Sequence, residues 1–149
     1  MSTYTEEVGN KLNELLEKTY DAEKGYKKAA ENTSETALKN FFNRKAQERY
    51  DFGHELKSEI RSFGQEVDKG GSVTGALHRS WMDVKALFSN EDSEAMLEEA
   101  IRGEKASVEE YCEILNETSL PASTKSLLET QKNSIENDLS NIKRMEDIR

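Results

Sequence analysis

The sequence predicts an all-α fold: one four-helix bundle domain over residues 1–149, built from two antiparallel helical hairpins. A long crossover containing a short fifth helix joins the hairpins. Three observations predict this. Apolar residues recur at spacings of three and four along four long stretches. The connection inside each hairpin is short, and the chain has a single proline, Pro121. Between the hairpins lies Gly64 to Asn90, which holds four of the eight glycines, the only tryptophan and one of the two histidines.

The first helix is expected from about Thr3 to Ala30. Val8, Leu12, Leu15, Leu16, Thr19, Ala22, Tyr26 and Ala29 make one stripe, and Glu6 and Glu7 suit the positive end of the helix dipole. Asn32-Thr33-Ser34 is a turn, with Glu35 three residues after Asn32 as in a capping box. The second helix follows to about Phe63, with Leu38, Phe41, Phe42, Ala46, Phe52, Leu56, Ile60 and Phe63 inward, and Gly64 ends it. So short a turn makes these two helices antiparallel.

Ser72 reads as the N-cap of the short helix, which reaches Phe88 with Val73, Leu77, Trp81, Val84 and Phe88 on one face. The third long helix begins near Ser89-Asn90 and stops near Glu117. Its stripe is Met96, Ala100, Gly103, Ser107, Tyr111 and Ile114, flanked by Leu97, Ile101, Val108 and Leu115. Pro121 separates it from the fourth, whose stripe is Leu127, Leu128, Ile135, Leu139, Ile142 and Met145. Four helices of matched length, two tight turns and one long crossover give the ferritin-like connectivity rather than up-down-up-down.

Hydrophobic and charged residues each make up 34% of the chain, and the net charge is −9. Narrow apolar stripes on long helices account for that balance. The acidic excess sits almost wholly in residues 91–117, with ten acids and two bases. This charge speaks against a nucleic-acid groove, since phosphate binding calls for clusters of Lys and Arg. No apolar run is long enough for a membrane span, and no signal-peptide core is visible. Cys112 is the only cysteine, so no internal disulfide forms. A cytoplasmic protein is expected.

Polar residues interrupt the stripes midway along the bundle. Glu23 borders the first; Lys45, Glu48 and Arg49 interrupt the second; Glu104 follows Gly103 in the third; Gln131 and Asp138 hold core spacing in the fourth. Two chemistries fit. Glu23, Glu48 and Glu104 are candidate ligands for iron or manganese. A di-metal bundle, however, takes a Glu-x-x-His pair from each of two helices. Here Asp51 follows Glu48 and Lys132 follows Glu129 at that spacing, and the third and fourth helices contain no histidine. The other chemistry is a buried ion-pair network, with Lys45 and Arg49 neutralising the carboxylates. In the crossover, His78, Arg79 and Trp81 are candidates for a small anion or ligand site, or for ties to the hairpins. Cys112 has no histidine on its helix to activate it and reads as a packed position.

The segments DAEKGYKKAAE (Asp21 to Glu31), GGSVTGALHRSWMDVK (Gly70 to Lys85) and RGEKASVEEY (Arg102 to Tyr111) resemble a family of uncharacterised bacterial four-helix-bundle proteins. That family is a domain of unknown function placed in the ferritin-like superfamily. The resemblance spans almost the whole chain and is weakest in the fourth helix. The family pattern falls on Asp21, Gly25, Arg49, Glu55, Gly75, His78, Arg79, Trp81, Gly103 and Glu104. It implies the ferritin-like fold and, through the superfamily, a di-metal centre, but no substrate or reaction.

The expected function is that of a non-enzymatic, self-associating helical bundle with a salt-bridged core, stress-related by analogy of fold alone. The alternatives are a degenerate ferritin-like metal protein with oxidase-type chemistry, and an acidic adaptor whose third helix holds a basic protein partner.

Overall fold

The computed structural model describes residues 2–65, 93–117 and 119–148. They form four helices: α1 (Ser2–Asn32), α2 (Thr36–Ser62), α3 (Ser93–Glu117) and α4 (Ala122–Ile148). The expected short helix from Ser72 to Phe88 lies outside the described residues, as do His78, Arg79 and Trp81. Among the described residues, no helix is long and apolar enough to cross a membrane.

Each helix is about 40 Å long at 1.5 Å per residue. α1 packs along α2 and α3 along α4, giving two hairpins. Between hairpins, α1 meets α3 and α2 meets α4. Lys18 pairs with Glu110 while Tyr26 interacts with Glu104, so α1 and α3 run antiparallel. Leu38 and Phe42 share a cluster with Met96 and Leu97, whereas Phe52 and Leu56 share one with Tyr111 and Ile114. α2 and α3 therefore run parallel, and Gln65 and Ser93 stand at opposite ends of the bundle.

The apolar stripes become the core. Val8, Leu12, Leu16, Tyr26, Leu38, Phe42, Leu56, Ile60, Leu97, Leu128, Ile135 and Ile142 are buried. Burial of side chains of this size contributes roughly 1.5–3 kcal/mol each relative to exposure. Two apolar clusters fill the ends of the bundle. Lys45, Glu48, Arg49, Glu104 and Asp138 lie between them.

The helix ends agree with the sequence at one site and correct it at another. Gly64 adopts φ 73°, its N–H donates to the Arg61 carbonyl at 2.9 Å, and Phe63 N–H donates to Ile60 at 3.1 Å. Glycine takes this left-handed conformation without Cβ strain. The capping box at Asn32 does not form. α1 runs on through Asn32, and the residue capping α2 is Glu35, which makes no side-chain cap bond. The Thr33 hydroxyl instead accepts the Glu35 N–H at 3.2 Å, which closes the turn locally. At the start of α4, Lys125 N–H donates to the Pro121 carbonyl at 2.9 Å. Thr124 and Ser123 donate to Glu59 of α2 at 2.5 and 3.1 Å, placing an anion at the positive end of α4.

Gly53 is buried in the middle of α2. A Cβ there would sit 3.7 Å from Leu16 and 3.9 Å from Tyr20, which is ordinary contact. Gly53→Ala therefore gains helix propensity without a clash. It should raise the unfolding free energy by about 0.5–1 kcal/mol in denaturant titration.

Candidate functional site

Midway along the bundle, helical spacing aims Lys45 and Arg49 of α2 inward, one turn apart. Both are buried. Two charges leave water only with partners, because desolvation costs several kcal/mol per ion. Glu104 of α3, fully buried, supplies the main one. Arg49 Nη2 donates to Glu104 Oε1 at 2.7 Å and to the Ser107 hydroxyl at 3.2 Å. Lys45 Nζ lies 3.1 Å from Glu104 Oε2 and donates to Glu48 Oε1 at 2.6 Å. It also donates to Asp138 Oδ2 of α4. One ammonium thus meets carboxylates from α2, α3 and α4.

Aromatic faces complete the enclosure. The Tyr26 ring of α1 lies 5.7 Å from Lys45 Nζ and 5.8 Å from Arg49 Cζ, and the Phe52 ring lies 6.0 Å from Arg49 Cζ. These are cation–π distances. One turn further along, Tyr111 donates to Gln131 Oε1 at 2.6 Å. Gln131 in turn donates to Glu55 at 2.8 Å and to the Phe52 carbonyl at 3.4 Å. Polar groups from α2, α3 and α4 therefore close on one another in two adjacent layers.

Charge in the layer is set by competition between burial and pairing. Burial alone would push the Glu104 carboxyl up, but Arg49 and then Lys45 outweigh it and hold the group below the ordinary carboxylate range. Burial works against the Arg49 charge, yet Glu104 keeps the guanidinium firmly protonated. Glu48 goes the other way. Burial raises its pKa beyond what Lys45 recovers, and a hydrogen bond with Asp138 adds to the rise. Burial also raises Tyr26 and Tyr111, with Glu104 adding to Tyr26.

The polar residues singled out in the sequence fall into three places. Lys45, Arg49, Glu48, Glu104 and Asp138 come together, and Gln131 lies in the adjacent layer. Glu23 does not join them: it pairs with Lys27 at 3.0 Å and lines an open cleft between α1 and α2 with Asn43, Gln47 and Tyr50. His78, Arg79 and Trp81 fall outside the described residues. Cys112 is half-buried and free. Among the described residues, no group of three or more His, Cys, Asp or Glu side chains is placed to hold a metal ion. The residues present do not fit the di-metal centre expected from the sequence resemblance, because a lysine ammonium stands among the central carboxylates and Glu23 faces elsewhere.

The sequence did not point to Gln131 as a partner of Tyr111, or to Glu17 and Asp21 as buried. The first is invisible because spacing gives the face of a helix and not the neighbour across it. The second pair lies off the apolar stripe altogether.

Four helices in two hairpins, with charge buried between them, define an all-α bundle protein with an ionic core. Residues 7–117 match the family described as Domain of unknown function (DUF2383), and the chain belongs to that family. Comparison with curated proteins gives no match.

Glu104→Gln and Arg49→Ala each leave buried charge unpaired and should cost about 3–5 kcal/mol in denaturant unfolding. The pH dependence has a definite sign. Glu104 has a lower pKa folded than unfolded, so the unfolded chain binds more protons and stability falls as pH drops below about 4.5. Glu48 has the higher pKa folded, so its contribution declines as pH rises above about 4.5 towards that raised value. Glu104→Gln should flatten the acid limb of stability against pH, and Glu48→Gln the opposite limb.

Proposed function

We propose that this protein is a non-enzymatic ferritin-like bundle in which protein cations take the place of a metal centre. The observation that carries this reading is the position of Lys45 Nζ, in contact with Glu48, Glu104 and Asp138 from three helices. A metal-binding bundle collects carboxylates from several helices around a cation. Here the covalently attached ammonium meets the same demand and Arg49 adds a second positive charge. A divalent ion entering this layer would stand against two buried cations at close range, which is strongly unfavourable at low dielectric.

The connectivity supports the ferritin-like half of the proposal. α2 and α3 run parallel, so the chain between them has to pass from one end of the bundle to the other. The up-down-up-down alternative would leave α2 and α3 antiparallel.

The test is ferrous iron or manganese titration of the purified chain, followed by dialysis and metal analysis, with oxygen uptake recorded during the iron addition. No retained metal and no protein-dependent oxygen uptake are expected. Retention of about two metal ions per chain, the stoichiometry of a di-metal bundle, overturns the proposal in favour of the metal-protein reading.

A further inference from the structure

The cleft that Glu23 lines lies apart from the ionic layer. It opens between α1 and α2, has a volume of about 380 Å³, and is lined by Glu23 and Lys27 of α1 and by Asn43, Ala46, Gln47 and Tyr50 of α2. Helical period explains this set. Glu23 and Lys27 stand one turn apart, as do Asn43 and Gln47, and Tyr50 follows a turn later, so each helix offers one polar row to the cleft. Ala46 is buried beneath them, and its single methyl group leaves room above it. Small-ligand sites have volumes of roughly 300–1,000 Å³, and this cleft falls at the small end of that range.

The polar groups set the chemistry. The Glu23 side chain is only 15% exposed, whereas its partner Lys27, 3.0 Å away, is 60% exposed. A surface pair of this i,i+4 kind is weak, so a better-placed cation displaces the lysine readily. Gln47 donates its amide nitrogen to Asp51 at 3.1 Å, which leaves its carbonyl oxygen as the group it offers elsewhere. The Tyr50 ring supplies an aromatic wall. It is 49% exposed and is steadied by His54, edge to face with centroids 4.6 Å apart. The cleft thus combines a carboxylate, two amide groups and an aromatic ring over a small floor.

We propose that this cleft binds a guanidinium group, as carried by arginine, with Glu23 accepting its paired N–H groups and Tyr50 stacking on its plane. A guanidinium uses all three kinds of lining group at once. Its fork of donors matches a carboxylate, its remaining N–H groups reach amide oxygens, and its flat face stacks on tyrosine. A lysine ammonium is a compact, strongly hydrated charge that leaves the aromatic wall unused. An anionic ligand would set its charge against Glu23. The site does not depend on what fills the ionic layer, so it goes beyond the role proposed for the bundle and is tested separately from it.

The experiment is calorimetric titration of the full-length chain with N-acetyl-L-arginine amide, with the citrulline and lysine analogues as controls. Citrulline keeps the shape of arginine and lacks its charge. Saturable binding of the arginine probe is expected, about tenfold or more tighter than either control. No saturable binding overturns the proposal. So does lysine bound as tightly as arginine, which would be the general attraction of a chain of net charge −9 for cations.

Glu23→Gln and Tyr50→Ala should each weaken the arginine probe by about tenfold, and Tyr50→Phe should retain its binding. Lys27→Met removes the competing ammonium and should tighten binding several-fold, a gain that no merely structural role produces. None of these side chains lies in the core, so the far-UV helix signal should be kept in every variant. Binding unchanged by Glu23→Gln, or weakened by Lys27→Met, overturns the proposal. Free L-arginine and the peptide acetyl-glycyl-arginyl-glycinamide tell the source of the group apart. Tighter binding of the peptide supports an arginine side chain of a protein partner, tighter binding of the free amino acid supports a small molecule, and binding of neither overturns the site.

Discussion

The ion pair between Arg49 and Glu104 is the constraint on which the bundle's assembly depends. Within each hairpin the two helices pack along each other, and both apolar clusters draw on the two hairpins together. The centre of the seam between hairpins holds charge instead, in a layer where Glu104 has no exposed surface. Burying these groups is favourable only with all partners in place, because one charge left alone in the interior costs more than the pair gains. The hairpins therefore cannot slide by a turn along each other without stranding Arg49 or Lys45 among apolar side chains. Apolar stripes alone would tolerate such a slip far better, since one leucine resembles another a turn away. The ionic layer supplies register, and the two apolar clusters on either side supply most of the free energy of association.

The polarity of the seam follows from where the charges originate. In the ion pairs described between the hairpins, Lys18, Lys45 and Arg49 come from the first hairpin, and Glu104, Glu110 and Asp138 from the second. Like hairpins facing each other would bring cations against cations or carboxylates against carboxylates. This is the same device that sets partner choice in coiled coils through complementary charges. It also gives part of the acidic excess of residues 91–117 a structural role. Glu104 and Glu110 in that stretch are committed to bases of the first hairpin, while Glu98, Glu109 and Glu113 remain on the solvent side.

Much of this was legible from spacing. A stripe at intervals of three and four tells which residues point inward, so Lys45, Arg49, Glu104 and Gln131 stood out as polar groups at core positions. Pairing was less legible. Glu23 borders its stripe as closely as the true members of the layer do, but its rotation about α1 takes it to the α2 side, where Lys27 lies one turn away. Helical period resolves inward from outward, and it does not resolve two directions that are both nearly inward. Glu17 and Asp21 mark the opposite limit. They are buried although they lie off the apolar stripe of α1, so its periodicity does not announce their burial. The turn after α1 failed for a local reason. Asn32 and Glu35 have capping-box spacing, but helix α1 continues through Asn32, and Thr33 satisfies the Glu35 N–H instead.

The boundary of the family match adds a last physical point. Residues 7–117 contain α2 and α3 and all but the start of α1, and with them Lys45, Glu48, Arg49 and Glu104. Within that span two cations face two carboxylates, so the charges cancel. Asp138 comes from α4, beyond the match, and brings a third carboxylate to Lys45. The added negative charge falls beside Glu48, whose pKa burial already raises and the hydrogen bond with Asp138 raises further. A proton on Glu48 restores the cancellation that α4 disturbs. The Arg49–Glu104 pair can thus stay fully ionised in the interior, and adjustment to pH falls on Glu48, at the α2–α4 edge. Separating a fixed internal pair from an adjustable outer acid keeps the centre of the bundle charged whatever the protonation state of Glu48 beside α4.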